Sequence, residues 1–102
     1  MKIGIDIVDC ARVDGLVSEK VFAPGELSYI CAKNKALETI AGLYAAKEAY
    51  FKAVGTGIIK SKLPSIEIAH DAKGCPYYVH DRNTTLSISH TATAAVAVCI
   101  IF

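Results

Sequence analysis

The run from Lys35 to Val54 constrains this chain more than any other stretch. Its alanines, leucines, glutamates and lysines are good helix formers, with Gly42 as the one weak position. Asn34 stands where an N-cap would, and Gly55 is placed to stop the helix. After Gly55-Thr56-Gly57 the pattern turns to alternation. Ser65 to His70 alternates around Ile66 and Ile68, and Asp71-Ala72-Lys73-Gly74 reads as a turn. Pro76 to His80 reads as a partner or edge strand, because Pro76 cannot donate to a ladder. Thr85 to His90 alternates Leu86 and Ile88 with Ser87 and Ser89, and Ala95 to Ile101 is a near-continuous apolar strand of the fully buried kind. Ahead of the long helix, Lys2 to Val8 alternates as a strand and Ala11 to Val17 reads as a short helix. Phe22-Ala23-Pro24-Gly25-Glu26 is a turn into another helix, with Pro24 in its first turn. One strand, then helices, then an antiparallel meander gives an α+β class in a single domain over residues 1–102.

Composition narrows the partners. The chain is 53% hydrophobic and 21% charged, which suits a packed core. A domain of this size buries only a modest share of its surface, so the apolar excess hints at a face covered by another copy of the chain. The net charge is +1, from 11 basic and 10 acidic residues, and gives no support to non-specific binding of nucleic acid or a membrane surface. The longest uncharged stretch, Thr91 to Phe102, is too short to span a bilayer, and Lys2 and Asp6 occupy the place of a signal peptide's apolar region. Cys10, Cys31, Cys75 and Cys99 form no C-x-x-C pair and read as free thiols of a cytoplasmic protein.

At about 100° per residue, Leu37, Ile40, Ala41, Tyr44 and Phe51 form one stripe of the long helix, and Glu48 falls near its middle. Lys52 and Lys47 flank it. A carboxylate turned toward a core is costly unless a cation or donors meet it. Glu48 and Lys52 at i, i+4 form a helix-supporting pair on one reading; on the other, Glu48 is an oxygen ligand to a hard cation. Asp6, inside an apolar strand on the face opposite Ile3, Ile5 and Ile7, is either a solvent-facing residue or the second carboxylate. Gly55-Thr56-Gly57 is a helix stop that also lets backbone approach a phosphate. His70 and His80 suit surface or turn positions, whereas alternation puts His90 on the face of Leu86 and Ile88.

Three motifs together resemble the holo-acyl-carrier-protein synthases, members of the 4′-phosphopantetheinyl transferases. Gly4-Ile5-Asp6-Ile7-Val8-Asp9 with Arg12 is similar to their N-terminal motif. Ala45-Ala46-Lys47-Glu48-Ala49-Tyr50-Phe51-Lys52-Ala53-Val54-Gly55-Thr56-Gly57 is similar to their long central signature, and Leu86-Ser87-Ile88-Ser89-His90 to their late strand. The resemblance implies transfer of the phosphopantetheine arm of coenzyme A to a serine of apo-acyl carrier protein. It implies that Asp6 and Glu48 hold Mg²⁺ and that Lys52 stands by the attacked phosphate. Lys47, Gly55, Thr56, Gly57 and His90 would help bind coenzyme A, in a homotrimer with sites at subunit interfaces. A non-catalytic relative that binds coenzyme A or a carrier is the alternative. Three features depart from the pattern: Leu43 replaces a usual arginine, the Val13–Ala23 segment holds only Lys20 as a base, and the chain is short.

Overall fold

A computed structural model describes all residues 1–102. Strand β1 (Lys2–Asp9) leads through a 3₁₀ turn (Cys10–Arg12) to helices α1 (Pro24–Ala32) and α2 (Leu37–Val54). A second 3₁₀ stretch (Lys60–Ser65) precedes β2 (Ile68–His70), β3 (Pro76–Tyr78), β4 (Thr84–His90) and β5 (Ala94–Ile101). The α+β class stands. The strands make two antiparallel groups, a sheet ordered β1-β5-β4 and a separate β2-β3 hairpin. The meander expectation therefore holds locally but not globally, because the last strand inserts between the first and the fourth. β1 and β5 pair over their whole length, from Lys2 opposite Ile101 to Asp9 opposite Ala94.

Helix α2 lies across this sheet, and small residues set how closely. Gly4, Asp6 and Val8 form the buried face of β1. A Cβ on Gly4 would collide with the Ala49 carbonyl oxygen and stand 2.6 Å from the Ala53 nitrogen. The missing side chain is what allows helix backbone to meet strand backbone. Around that contact pack Ala95, Ala97 and Cys99 of β5 with Ile40, Ala45 and Phe51 of α2, all buried. A fully buried Ile or Phe in such a core contributes about 1.5–3 kcal/mol.

Several boundaries differ from expectation, each for a local reason. Asn34 and Lys35 take φ of 58° and 55°, so they form a left-handed turn and the helix starts at Leu37 without a side-chain cap. Gly55 does end it, at φ 90°, where its N–H reaches the Phe51 carbonyl. The first helix expected at Ala11–Val17 shrinks to Cys10–Arg12, and the strand expected from Ser65 begins only at Ile68, because the 3₁₀ stretch that holds Pro64 runs to Ser65.

The largest correction concerns sidedness. Ile3, Ile5 and Ile7 point outward, 67%, 59% and 67% exposed, and Asp6 is the residue turned inward. Likewise β5 is fully buried on one face only, with Val96, Val98 and Ile100 on the partly buried side. Registered pairs Ile3–Ile100, Ile5–Val98 and Ile7–Val96 join these into one apolar patch on the outer face of the sheet.

Candidate active site

β1 delivers Asp6 beneath α2, 7% exposed, and α2 brings Glu48 and Lys52 to the same side one turn apart. Lys52 Nζ donates to Asp6 Oδ1 at 2.8 Å, so the strand carboxylate is its ion-pair partner. The second oxygen, Asp6 Oδ2, is buried and has no hydrogen-bond partner. An orphaned carboxylate oxygen of this kind is costly unless a donor or cation meets it. Glu48 is half-buried, and burial pushes its carboxyl above the usual range, with the adjacent Asp6 charge adding to the rise. The nearby Tyr44 hydroxyl and the Lys52 charge oppose it.

A Glu48 carboxyl raised by burial and by the Asp6 charge, beside one unsatisfied oxygen, describes a site short of positive charge. The donors are hard oxygens, and no cluster of three acidic, histidine or cysteine side chains forms anywhere in the chain. That set fits Mg²⁺, which takes one or two protein carboxylates and completes its shell with water and substrate phosphate. It does not fit structural zinc, which wants four nitrogen or sulfur ligands.

About 9 Å back along α2 from Glu48, at 1.5 Å rise per residue, Gly42 lines a cleft of about 270 Å³. His90 and Ile88 of β4 line it together, as the alternation of that strand implies, with Leu43 and Pro76 as apolar wall. Leu43, 2% exposed, gives this wall no charge where an arginine was expected. His70 lines the cleft as well, stacked on Tyr29 with ring centroids 4.0 Å apart and an interplanar angle of 6°. Sequence reasoning missed His70 as a cleft residue. Tyr29, His70 and His90 come from α1, β2 and β4, so no spacing in the chain announces their meeting.

Gly55, Thr56 and Gly57 form an exposed turn directly beyond the helical turn that carries Lys52. Gly57, at φ 74°, needs the left-handed region as Gly55 does. Lys47 is the clear correction. It is fully buried, its ammonium bonded to Glu26 Oε1 at 2.6 Å and to the Leu63 and Ile66 carbonyls at 2.9 and 3.0 Å. With all its protons engaged inside the chain, it has no surface to offer coenzyme A.

Residues 2–99 match the model of the 4′-phosphopantetheinyl transferase superfamily. The chain belongs to that superfamily. Within it, the chain is similar to a holo-acyl-carrier-protein synthase of Alkaliphilus oremlandii, 38% identical over 116 residues that cover 96% of this chain and 95% of that one. Among solved structures, the Bacillus anthracis holo-acyl-carrier-protein synthase in complex with coenzyme A (3′,5′-ADP) aligns at a TM-score of 0.81 with 37% identity, covering 96% and 92% of the two chains. The Helicobacter pylori synthase in complex with coenzyme A aligns at 0.80 with 32% identity, covering 98% and 99%. The 4′-phosphopantetheinyl transferase match thus spans both strands and helices that build the site, Asp6, Glu48 and Lys52 included.

Proposed function

We propose that this chain is a holo-acyl-carrier-protein synthase, transferring 4′-phosphopantetheine from coenzyme A to a serine of apo-acyl carrier protein. The carrying observation is the orphaned Asp6 oxygen, buried beside Glu48 with Lys52 at its rim. Asp6 and Glu48 are the residues that would hold Mg²⁺. When bound, Mg²⁺ supplies positive charge against the pyrophosphate oxygens of coenzyme A.

The chain's own groups then have definable tasks. Glu48, or a water held beside it, accepts the proton of the carrier's serine hydroxyl. The serine oxygen bonds to the β-phosphorus, and the bond to adenosine 3′,5′-bisphosphate breaks. Lys52, half-exposed, keeps its ammonium beside Asp6 and within reach of a phosphate oxygen in the mouth of the site. Gly55, Thr56, Gly57 and His90 contact coenzyme A, the first three through backbone and His90 through its ring at the cleft.

We place three copies in the working enzyme, with the Ile3, Ile5 and Ile7 faces buried together. An apolar patch of this extent on a small chain is characteristic of an interface. His90 borders the same outer face, in a small hollow with Ile7 and Val96, which puts the cleft at the edge of the contact. No helix is long and apolar enough to cross a membrane. The four free cysteines suit the cytoplasm, where thiols stay reduced. The buried, apolar Leu43 favours a second reading, a relative that binds coenzyme A or a carrier without transferring the arm.

Incubating the protein with coenzyme A, Mg²⁺ and an apo-carrier, then weighing the carrier, separates the two. The carrier gains one phosphopantetheine, and Glu48→Gln or Asp6→Asn slows the gain by about a hundredfold or more. Undiminished transfer by Glu48→Gln removes the assigned role of that carboxylate. Failure of the unaltered protein across several carriers leaves the binding-only reading.

A further inference from the structure

The ion pair of Lys47 and Glu26 lies apart from the carboxylates just described, and the transfer chemistry leaves it without a task. Both side chains are 0% exposed. Lys47 donates to Glu26 and to the Leu63 and Ile66 carbonyls. Glu26 in turn accepts the Ala23 N–H through Oε1 at 3.0 Å and the Ile68 N–H through Oε2 at 3.1 Å. The Phe22 ring covers the ammonium at 5.3 Å. One buried knot thus ties α2 to the start of α1, to the Lys60–Ser65 stretch and to the first residue of β2.

Stability alone does not account for it, since buried ion pairs are often replaced by apolar groups at no loss. A fully satisfied polar network fixes one geometry instead of several. Leu63, an acceptor for Lys47, also walls a groove of about 620 Å³ shared with Leu16, Val21, Tyr44 and Pro64. Tyr44 connects that groove to the site, because it lines the groove and stands one helical turn before Glu48 on α2. Neither Lys47 nor Glu26 lines the His70–His90 cleft.

We infer that Lys47 is a positioning residue for the transfer reaction: with Glu26 it holds the Lys60–Ser65 wall against α2 and so sets where Tyr44 and Glu48 stand, without touching coenzyme A. The inference rests on the transferase reading above. It assigns to the lysine next to Glu48 a role inside the protein.

The kinetic test is the paired variant Glu26→Gln, Lys47→Met, which removes both charges together. Its kcat falls about tenfold or more, as sub-ångström displacement of a reacting group does, while KM for coenzyme A stays within about twofold. A raised KM for coenzyme A with kcat unchanged restores the ligand role and overturns the inference. Unchanged kinetics in a folded variant overturns it too, since a purely structural knot would move only stability. Hydrogen exchange on the unaltered protein decides the matter even where the variant does not fold. The Ile68 amide exchanges only with global unfolding if the knot holds that wall, whereas fast local exchange there overturns the inference. An unaltered protein that transfers nothing counts against the proposed function, and the exchange result still decides the knot.

Discussion

His70 and His80 are packed on aromatic rings, His70 face to face with Tyr29 and His80 edge-on to Tyr50 at 4.6 Å. Burial pushes both imidazoles below the ordinary histidine value of 6.5, and for His70 the Lys33 charge adds to the fall. The unfolded chain therefore takes up protons first as pH drops. The stability held by these neutral rings is complete above the unfolded value and is lost as pH falls through it toward the lower folded values. Between about pH 7.5 and about pH 5, Tm of the ligand-free protein should lose more, or gain less, than Tm of His70→Phe, which keeps the stack. An unaltered slope in His70→Phe contradicts the assignment. At this scale, the sequence makes Asp6, Glu48 and Lys52 legible, because one strand and one helix bring them together. Lys47 is not legible in the same way. Its carboxylate partner lies 21 residues away and its other acceptors are backbone carbonyls, which leave no mark on residue identity.

The packing of α2 on β1 is the element on which the site depends, since it sets the gap between Asp6 and the Glu48–Lys52 side of the helix. Gly4→Ala forces a methyl against the backbone of Ala49 and Ala53, neither of which can yield as a flexible side chain could. Such overpacking should cost about 3 kcal/mol, measured as a shift in the urea midpoint, and transfer should fall with it. A variant of unchanged midpoint would show that strand and helix have more room than their backbones indicate. Gly55→Ala tests the helix end more gently, at about 1 kcal/mol for a left-handed residue that gains a Cβ. Helix and strand identities were readable from period and propensity. The helix start was not, because Asn34 serves a left-handed turn as readily as a cap. The stripe reading of α2 also fell short. Leu37 is 43% exposed while Ala45, Ala46 and Ala49 are buried, because the helix is packed on both sides and its alanines face neighbours that a one-sided stripe does not anticipate.

For the whole molecule, the outward isoleucines of β1 carry the proposed assembly. Alternation in Lys2–Val8 is visible in the sequence, but alternation cannot say which face is inward when one face carries isoleucine and the other Gly4, Asp6 and Val8. The inward choice follows from α2, which needs Gly4 beneath it and brings Lys52 to Asp6. If three copies cover the outer face, light scattering gives about three times the chain mass of 10.9 kDa. Ile5→Lys, at the centre of the patch, should leave single chains and depress transfer; an unaltered mass in that variant places the contact elsewhere. All of this serves one meeting of charges under α2, and a binding measurement addresses it directly. Mn²⁺, a hard-donor probe for the Mg²⁺ site, can be titrated into the coenzyme A-loaded protein while the free-ion electron paramagnetic resonance signal is followed. The unaltered chain should take up one ion per site, and Asp6→Asn and Glu48→Gln should each weaken uptake by about tenfold or more. Equal uptake by all three proteins would contradict the account, because the ion would then owe nothing to the carboxylates that β1 and α2 bring together.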